Sequence, residues 1–349
     1  MTGERTLKVV ESEAAESRAD AAVEASDAVD AADVADASDA VVTTVPEPGR
    51  PPSKLAGKPI RLHHFPTSIP SQVVRLALAE KGLEWEGVIV NTGPANEHFE
   101  ADYAELNPRL AVPTVEIGDT VVTETLDILR VLDELGSGPK LIPADPEARA
   151  EVMLWVERQD SFPLLELHHG RAKGMTRWFY RWALGQERTQ LRKLVDKQPE
   201  LAPVYQAKLD ELDVFKEAVN DRGLIDQLVV DVEAVLDEIE ELLEERRWLA
   251  GDEYTLADLT WTAAIARLDH IGFSRSLSER RRPNIASWYE RLRERASWPV
   301  GIRRLTALQL TKFYGPAVLK TFLIAWVVKW VVLTPLIYGI ASLLNCSGQ

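Results

Sequence analysis

The succession of short periodic segments between Pro59 and Gly136 most limits what this chain can fold into. "PIRLHH" is a short apolar strand. Residues Ser71 to Lys81 space their apolar side chains as a helix does, and Gly82 sits where a helix C-cap belongs. "LEWEGVIVN" reads as a second strand, and a short helix follows near Phe99 to Glu105. "VPTVEIGDTVVTE" gives two more strands joined by Gly118-Asp119, and "TLDILRVLDELG" closes with a helix ending at glycine.

Strand, helix, strand, helix, strand, strand, helix is the order of a thioredoxin-like half-domain, and residues 57–138 are assigned to it. From about Pro146 to Leu310 the pattern is helical throughout. In Leu224 to Arg247, for example, Leu, Ile and Val recur at three- and four-residue intervals among acidic residues. Residues 146–310 are therefore expected to form an all-helical domain. Its segment near 170–221, rich in Arg, Lys and Gln, is read as an insertion that leaves the bundle. The aromatics gathered at its start, Trp178, Phe179, Tyr180 and Trp182, suit either the apolar wall of a small-molecule pocket or ordinary core packing.

Composition removes several classes of function. A formal charge of −15 argues against nucleic acid, whose phosphates demand clustered Lys and Arg. The single cysteine, Cys346, rules out a disulfide framework within the chain and a cysteine-rich zinc site. Residues 1–56 carry aspartates at 27, 30, 33, 36 and 39, no aromatic residue and a proline-rich exit, so they are expected to be a disordered acidic tail. No apolar secretory run opens the sequence, which places the main body on the cytoplasmic side.

Several separate motifs resemble the cytosolic glutathione transferase superfamily: "SIPSQVVRLAL", "NPRLAVPTV", "TETLDILRVLDEL", "WLAGDEYTLADLTWTAAIARL" and "RPNIASWYERLRER". Within it, "SQVVRLALAEKGL", "RLDHIGF", "RPNIASWYERL" and the apolar C-terminal segment most resemble the ganglioside-induced differentiation-associated protein family. The resemblance implies an α+β thioredoxin-like domain followed by a helical bundle, with glutathione as substrate, a hydrophobic electrophile as its partner in the reaction, and a possible homodimer.

The same resemblance supplies site residues. Ser68 stands where the superfamily has the hydroxyl or thiol that meets the glutathione sulfur. A hydroxyl donating to a thiolate stabilises the charged form, and a helix N-terminus adds positive potential. Val112-Pro113 resembles the turn where a cis proline exposes backbone to the cysteinyl part of glutathione. Glu124-Thr125 stands where the γ-glutamyl end is held, with helix capping as the alternative. Ser71, following Pro70, is expected to cap the first helix, leaving Ser68 free for the sulfur. Arg75 is read as a structural or solvated group. Thr255 and Asp258 resemble the helix-nucleating capping box of the second domain, with a role in folding. The pairs His63-His64 and His168-His169 diverge on any regular element, so no metal is expected.

The segment Thr321 to Leu344, "TFLIAWVVKWVVLTPLIYGIASLL", has the roughly 20 apolar residues that a bilayer span requires. It is expected to be a transmembrane tail anchor over 321–344, with the domains facing the cytoplasm because Arg303, Arg304, Lys312 and Lys320 precede it. The function expected from all this is a membrane-tethered glutathione transferase that activates the glutathione thiol with Ser68. The alternative is a non-catalytic adaptor that keeps the fold for partner or lipid binding, and a pore-forming use of the fold ranks below both. Because no cysteine occurs in residues 67–72, thiol–disulfide exchange is disfavoured.

Overall fold

The computed structural model describes residues 55–303 and 305–327. The segment assigned to the acidic tail lies almost wholly outside the described residues.

The N-terminal half is a four-stranded sheet of order β2-β1-β3-β4. Its central strand, β1 (Ile60–His64), pairs in parallel with β2 (Glu86–Ile89) and antiparallel with β3 (Thr114–Ile117), which turns into β4 (Thr120–Val122). The β3–β4 turn passes through Gly118 at φ 61°, a left-handed conformation that glycine adopts without steric cost. Helix α1 (Ile69–Glu80) follows β1, α2 (Ala101–Leu106) lies in the β2–β3 connection, and α3 (Thr125–Leu135) closes the half-domain. The chain from Ser71 through Leu78 is buried without a break, because α1 packs against α3 and also against helices of the second half. Arg75 is among these residues, fully buried. It donates to His64 Nδ1 at 3.0 Å, to the carbonyls of Pro66 (2.8 Å) and Gly301 (2.6 Å), and at longer range to those of Phe65 and Val300. It is thus a structural group that ties the turn after β1 to the C-terminal part of the chain.

Helix α1 ends in a Schellman arrangement. Gly82 adopts φ 61° and donates to Ala79 O, and Leu83 N donates to Leu78 O at 3.0 Å. Beside it Lys81, with its side chain fully buried, places Nζ 3.1 Å from the Asp133 carboxylate of α3 and donates to the carbonyls of Gly138 (2.9 Å) and Pro139 (2.8 Å). Asp133 also accepts from the backbone N–H groups of Leu141 (2.8 Å) and Ile142 (3.3 Å). One buried ion pair therefore joins α1, α3 and the connection into the second half.

The second half contains α4 (Pro146–Asp160), α5 (Leu164–Arg171), α6 (Gly174–Lys197), α7 (Ala202–Ala218), α8 (Arg222–Glu245), α9 (Leu256–Leu268), α10 (Pro283–Glu294), the single turn α11 (Trp298–Gly301) and α12 (Ala307–Val327). Its centre is α9, apolar on nearly all sides and started by the Thr255/Asp258 capping box. Asp258 also accepts from Leu249 N and Trp288 Nε1, both at 3.0 Å, so the residue read as a folding device links three segments of the core. Burial pushes its carboxyl up to about 6, against the pull of these donors. Helices α6 and α7 pack on each other, and Leu191, Tyr205 and Leu209 from this pair form a separate apolar cluster with Phe99, Ala104 and Leu110 of the β2–β3 connection.

The C-terminal expectation requires correction. Among the described residues no helix is long and apolar enough to cross a membrane, and the transmembrane helix assigned to 321–344 is not seen. Its first seven residues form the end of α12, and residues 328–344 lie outside the described residues. The earlier part of α12 holds Gln309, Lys312 and Lys320 and buries Phe313 against Phe65, at 5.6 Å between ring centroids, with Val90, Tyr103 and Val112 around it. Apolar length alone suggested a lipid-facing segment, whereas the same helix begins by packing on the thioredoxin-like half.

Candidate functional site

Ser68 sits partly buried in the turn between β1 and α1, and it is the N-cap of the helix. Its Oγ accepts from Ser71 N at 3.4 Å and donates to the Val112 carbonyl at 3.5 Å. The expectation that Ser71 caps the helix is thereby reversed. Pro70 is tolerated in the first turn, so the helix starts at Ile69 and the cap moves back to Ser68. Ser71 is buried inside the helix, and its hydroxyl accepts from Phe65 N at 3.4 Å. Capping uses a lone pair of Ser68, not its proton. The proton lies on a long hydrogen bond to a carbonyl, from which rotation of the hydroxyl can redirect it to a thiolate at little energetic cost. No acidic residue stands in the first turn of α1 to offset the positive end of the helix.

The Val112-Pro113 bond is cis. The loop before it is fixed by Asn107, whose amide nitrogen donates to Ala111 O (3.0 Å) and Thr114 Oγ1 (2.9 Å), and by Tyr103, whose hydroxyl donates to Ala111 O at 2.6 Å. Burial raises the Tyr103 phenol to about 12, so it remains a neutral donor. Leu110 within this loop takes φ 50°, a left-handed conformation that costs a non-glycine residue of order 1 kcal/mol, and its fully buried side chain in the α6–α7 cluster offsets that cost.

Glu124 occupies the cap position of α3 but makes no capping hydrogen bond. Its exposed carboxylate is ion-paired with Arg109 from the Val112-Pro113 loop. Thr125 is the first residue of α3 and is partly buried. Ser68 and Val112 are thus in direct contact, and Glu124 is joined to the same loop through Arg109.

Sequence reading gave no role to Arg267 on α9. Its Nη2 donates to the carbonyl of Thr67, the residue before Ser68, and its Nη1 donates to His168 Nδ1 at 3.0 Å. Because arginine can only donate, His168 carries its proton on Nε2 and gives it to the Tyr180 hydroxyl at 3.2 Å. Burial first, then the Arg267 charge, lowers the His168 pKa to about 3, so this ring stays neutral. Arg267 forms no ion pair with a carboxylate among the described residues, and its cation stands uncompensated beside the Ser68 turn. A charged residue within the otherwise apolar "TWTAAIARL" was the one available signal.

The histidine pairs are occupied otherwise. His63 donates to Glu116 at 2.6 Å, His64 accepts from Arg75, and His169 Nδ1 donates to Leu165 O at 2.9 Å. No group of three or more potential metal ligands occurs among the described residues. The aromatic cluster divides. Tyr180 faces His168, Phe179 meets Tyr314 of α12 at 5.7 Å, and Trp178 stacks on Trp182 with 55% of its own surface exposed.

Sheet order, the cis-proline turn and the helical second half place the chain among two-domain proteins built on a thioredoxin-like sheet. Residues 67–135 match the glutathione S-transferase N-terminal domain and residues 222–291 match the C-terminal domain. The chain is 33% identical over 239 residues to the tetrachloro-p-hydroquinone reductive dehalogenase of Sphingobium chlorophenolicum, covering 68% of this chain and 94% of that protein. It is 29% identical over 261 residues to human (Homo sapiens) ganglioside-induced differentiation-associated protein 1-like 1, covering 67% and 71% respectively. The beta-etherase LigF from Sphingobium sp. strain SYK-6 superposes with a TM-score of 0.56 at 24% identity, over 68% of this chain and 96% of that one. A theta class enzyme from Xanthomonas axonopodis pv. citri, solved with glutathione bound, superposes with a TM-score of 0.52 at 19% identity, over 71% and 99%. The chain belongs to the glutathione S-transferase family.

Proposed function

We propose that this protein binds glutathione along the Val112-Pro113 turn and the N-terminus of α3, and adds its thiolate to a small electrophile held against the helical half. The observation that carries this reading is the position of the Ser68 hydroxyl, between an unopposed helix N-terminus and the carbonyl before a cis proline. A free thiol has a pKa of about 8.5. A hydrogen bond to a charged acceptor is worth about 1.5–3 kcal/mol, and one pKa unit corresponds to about 1.4 kcal/mol, so Ser68 alone lowers the thiol by about one to two units. The thiol proton leaves to solvent. The sulfur lone pair forms the new C–S bond, and the electrons of the bond that breaks depart with the leaving group or onto the electrophile.

Thr125 and the first N–H groups of α3 suit the γ-glutamyl carboxylate, and the Glu124 carboxylate suits its ammonium once turned away from Arg109. A relative named as a reductive dehalogenase supports an electrophile bearing a displaceable halide. With no cysteine in residues 67–72, the part of such chemistry this site can perform is carbon–sulfur bond formation.

The test is calorimetric titration of reduced glutathione into the full chain, beside Ser68→Ala and Glu124→Ala, with conjugation of an activated aryl halide measured across pH. Expected are saturable binding that Glu124→Ala weakens, and a Ser68→Ala variant that still binds but is about 10- to 50-fold slower at pH 6.5 and converges with the parent above pH 9. Absence of binding at millimolar glutathione by the folded protein would overturn the enzyme reading in favour of a non-catalytic adaptor.

A further inference from the structure

The charge of this chain is strongly negative, yet one cavity is lined by positive charge. It has a volume of about 380 Å³ and lies where α5 ends, α6 begins and α8 begins. Its walls carry four cations, Arg171, Lys173, Arg177 and Arg222, against one carboxylate, Asp226. The guanidinium of Arg171 lies 4.4 Å over the ring of Phe273, which holds it in place without neutralising it. None of the four forms an ion pair with a carboxylate among the described residues, whereas Arg158, Arg188, Arg246, Arg281, Arg282, Arg293 and Arg295 of the second half each find one.

Backbone geometry adds to this potential. Helix α6, 24 residues long, has no side-chain cap at its N-terminus, and its first residue, Gly174, lines the cavity at φ 54°. The free N–H groups and the positive end of the helix dipole therefore add to the field of the four side chains. The wall contributed by Ile225 and Val229 is apolar. It is held close because Gly170 of α5 has no side chain: a Cβ there would overlap the Ile225 side chain. Four like charges around one volume raise the energy of the empty state, and a bound oxyanion removes that penalty while its forked acceptors match guanidinium groups in two-point contacts.

We propose that this cavity is a binding site for a small organic dianion bearing carboxylate or phosphate groups, with Arg177 and Arg222 as its principal ligands and the Ile225–Val229 wall against its carbon skeleton. The volume falls within the range of about 300–1,000 Å³ typical of small-molecule sites. This inference is independent of the glutathione reading. The cavity shares no lining residue with the Ser68 turn, the Val112-Pro113 loop or the start of α3.

The test uses the full chain at low ionic strength, titrated calorimetrically with inorganic pyrophosphate in one arm and succinate in the other. Arg177→Glu and Arg222→Glu are compared with Arg280→Glu, which changes net charge equally but does not line the cavity. Circular dichroism checks that each variant is folded. The expected result is saturable one-to-one binding of at least one probe, weakened tenfold or more by each cavity reversal and unchanged by Arg280→Glu. The probe that binds more tightly identifies phosphate or carboxylate as the recognised group. Absence of saturable binding of either probe overturns the proposal, as does binding that all three reversals weaken equally, which would reflect net charge alone.

Discussion

Replacing Lys81 by methionine tests how the two site-bearing helices of the N-terminal half are held. Helix α1 runs from the Ser68 cap to Lys81, and α3 runs from the Glu124 cap through Asp133, so the Lys81–Asp133 pair joins the helices at the ends away from the candidate site. All three ammonium protons have acceptors, in Asp133, Gly138 and Pro139. Methionine fills a similar volume but leaves two part-buried carbonyls without the Lys81 donor and a carboxylate, 2% exposed, with only two backbone N–H partners. Removing one partner of a buried pair costs about 3–5 kcal/mol, a large fraction of the roughly 5–15 kcal/mol that stabilises a typical domain. Urea unfolding followed by circular dichroism should therefore show Lys81→Met destabilised by that amount. Lys81→Met/Asp133→Leu, in which no unpaired charge remains, should lose less than the sum of the single variants by about 2 kcal/mol. A loss below about 1 kcal/mol in Lys81→Met, or additivity in the cycle, would show that the pair does not hold these helices together.

Three further outcomes are expected. Arg267→Met removes an uncompensated cation next to the Ser68 turn. It should raise the pKa of a thiol bound beside Ser68 by about one unit, since a unit charge on the order of 10 Å from that sulfur would contribute about 1.7 kcal/mol at an effective dielectric of 20, while Arg267→Lys restores most of the shift in the pH–rate profile. Glu187 on α6 is held up to about 7 by burial, with the Lys208 charge opposing. Its folded pKa lies above its unfolded value, so its favourable contribution is full below about pH 4.5 and is lost as pH rises through 7. Glu187→Gln should accordingly gain about 1–3 kcal/mol over the parent at pH 8 and nothing at pH 4.5, read as the difference in melting temperature at the two pH values. Finally, a Cβ on Gly138 would overlap the Glu80 carbonyl oxygen, a backbone atom that cannot swing aside. Gly138→Ala should destabilise by about 3 kcal/mol or more, measured by the same urea series.

The strand and helix succession of residues 59–136 was legible because each element there has a single buried face with a period of its own. The start of α1 was misread because Pro70 looks equally natural just outside a helix and in its first turn, and only the backbone decides which. The path of residues 174–218 could not be read. Those helices are placed by contacts with Phe99 and Leu110, far away in sequence. Arg267 escaped for the same reason, since its partners, Thr67 and His168, are 200 and 99 residues distant. The apolar run from Thr321 satisfied a length criterion that does not register Phe313, eight residues earlier, packing on Phe65.

Helices α6 and α7 lie between Arg171 and Arg222, and both of these residues are on the wall of one cavity. The pair is therefore a cassette with adjacent ends. It can be lengthened, shortened or exchanged without rethreading the helices before and after it. Because the cassette also covers Phe99 and Leu110, it stands between the cavity at its ends and the loop that carries Val112 and Pro113. An occupant that favoured one seating of the cassette would change affinity at that loop by the same factor by which a ligand at the loop changed the occupant's own affinity.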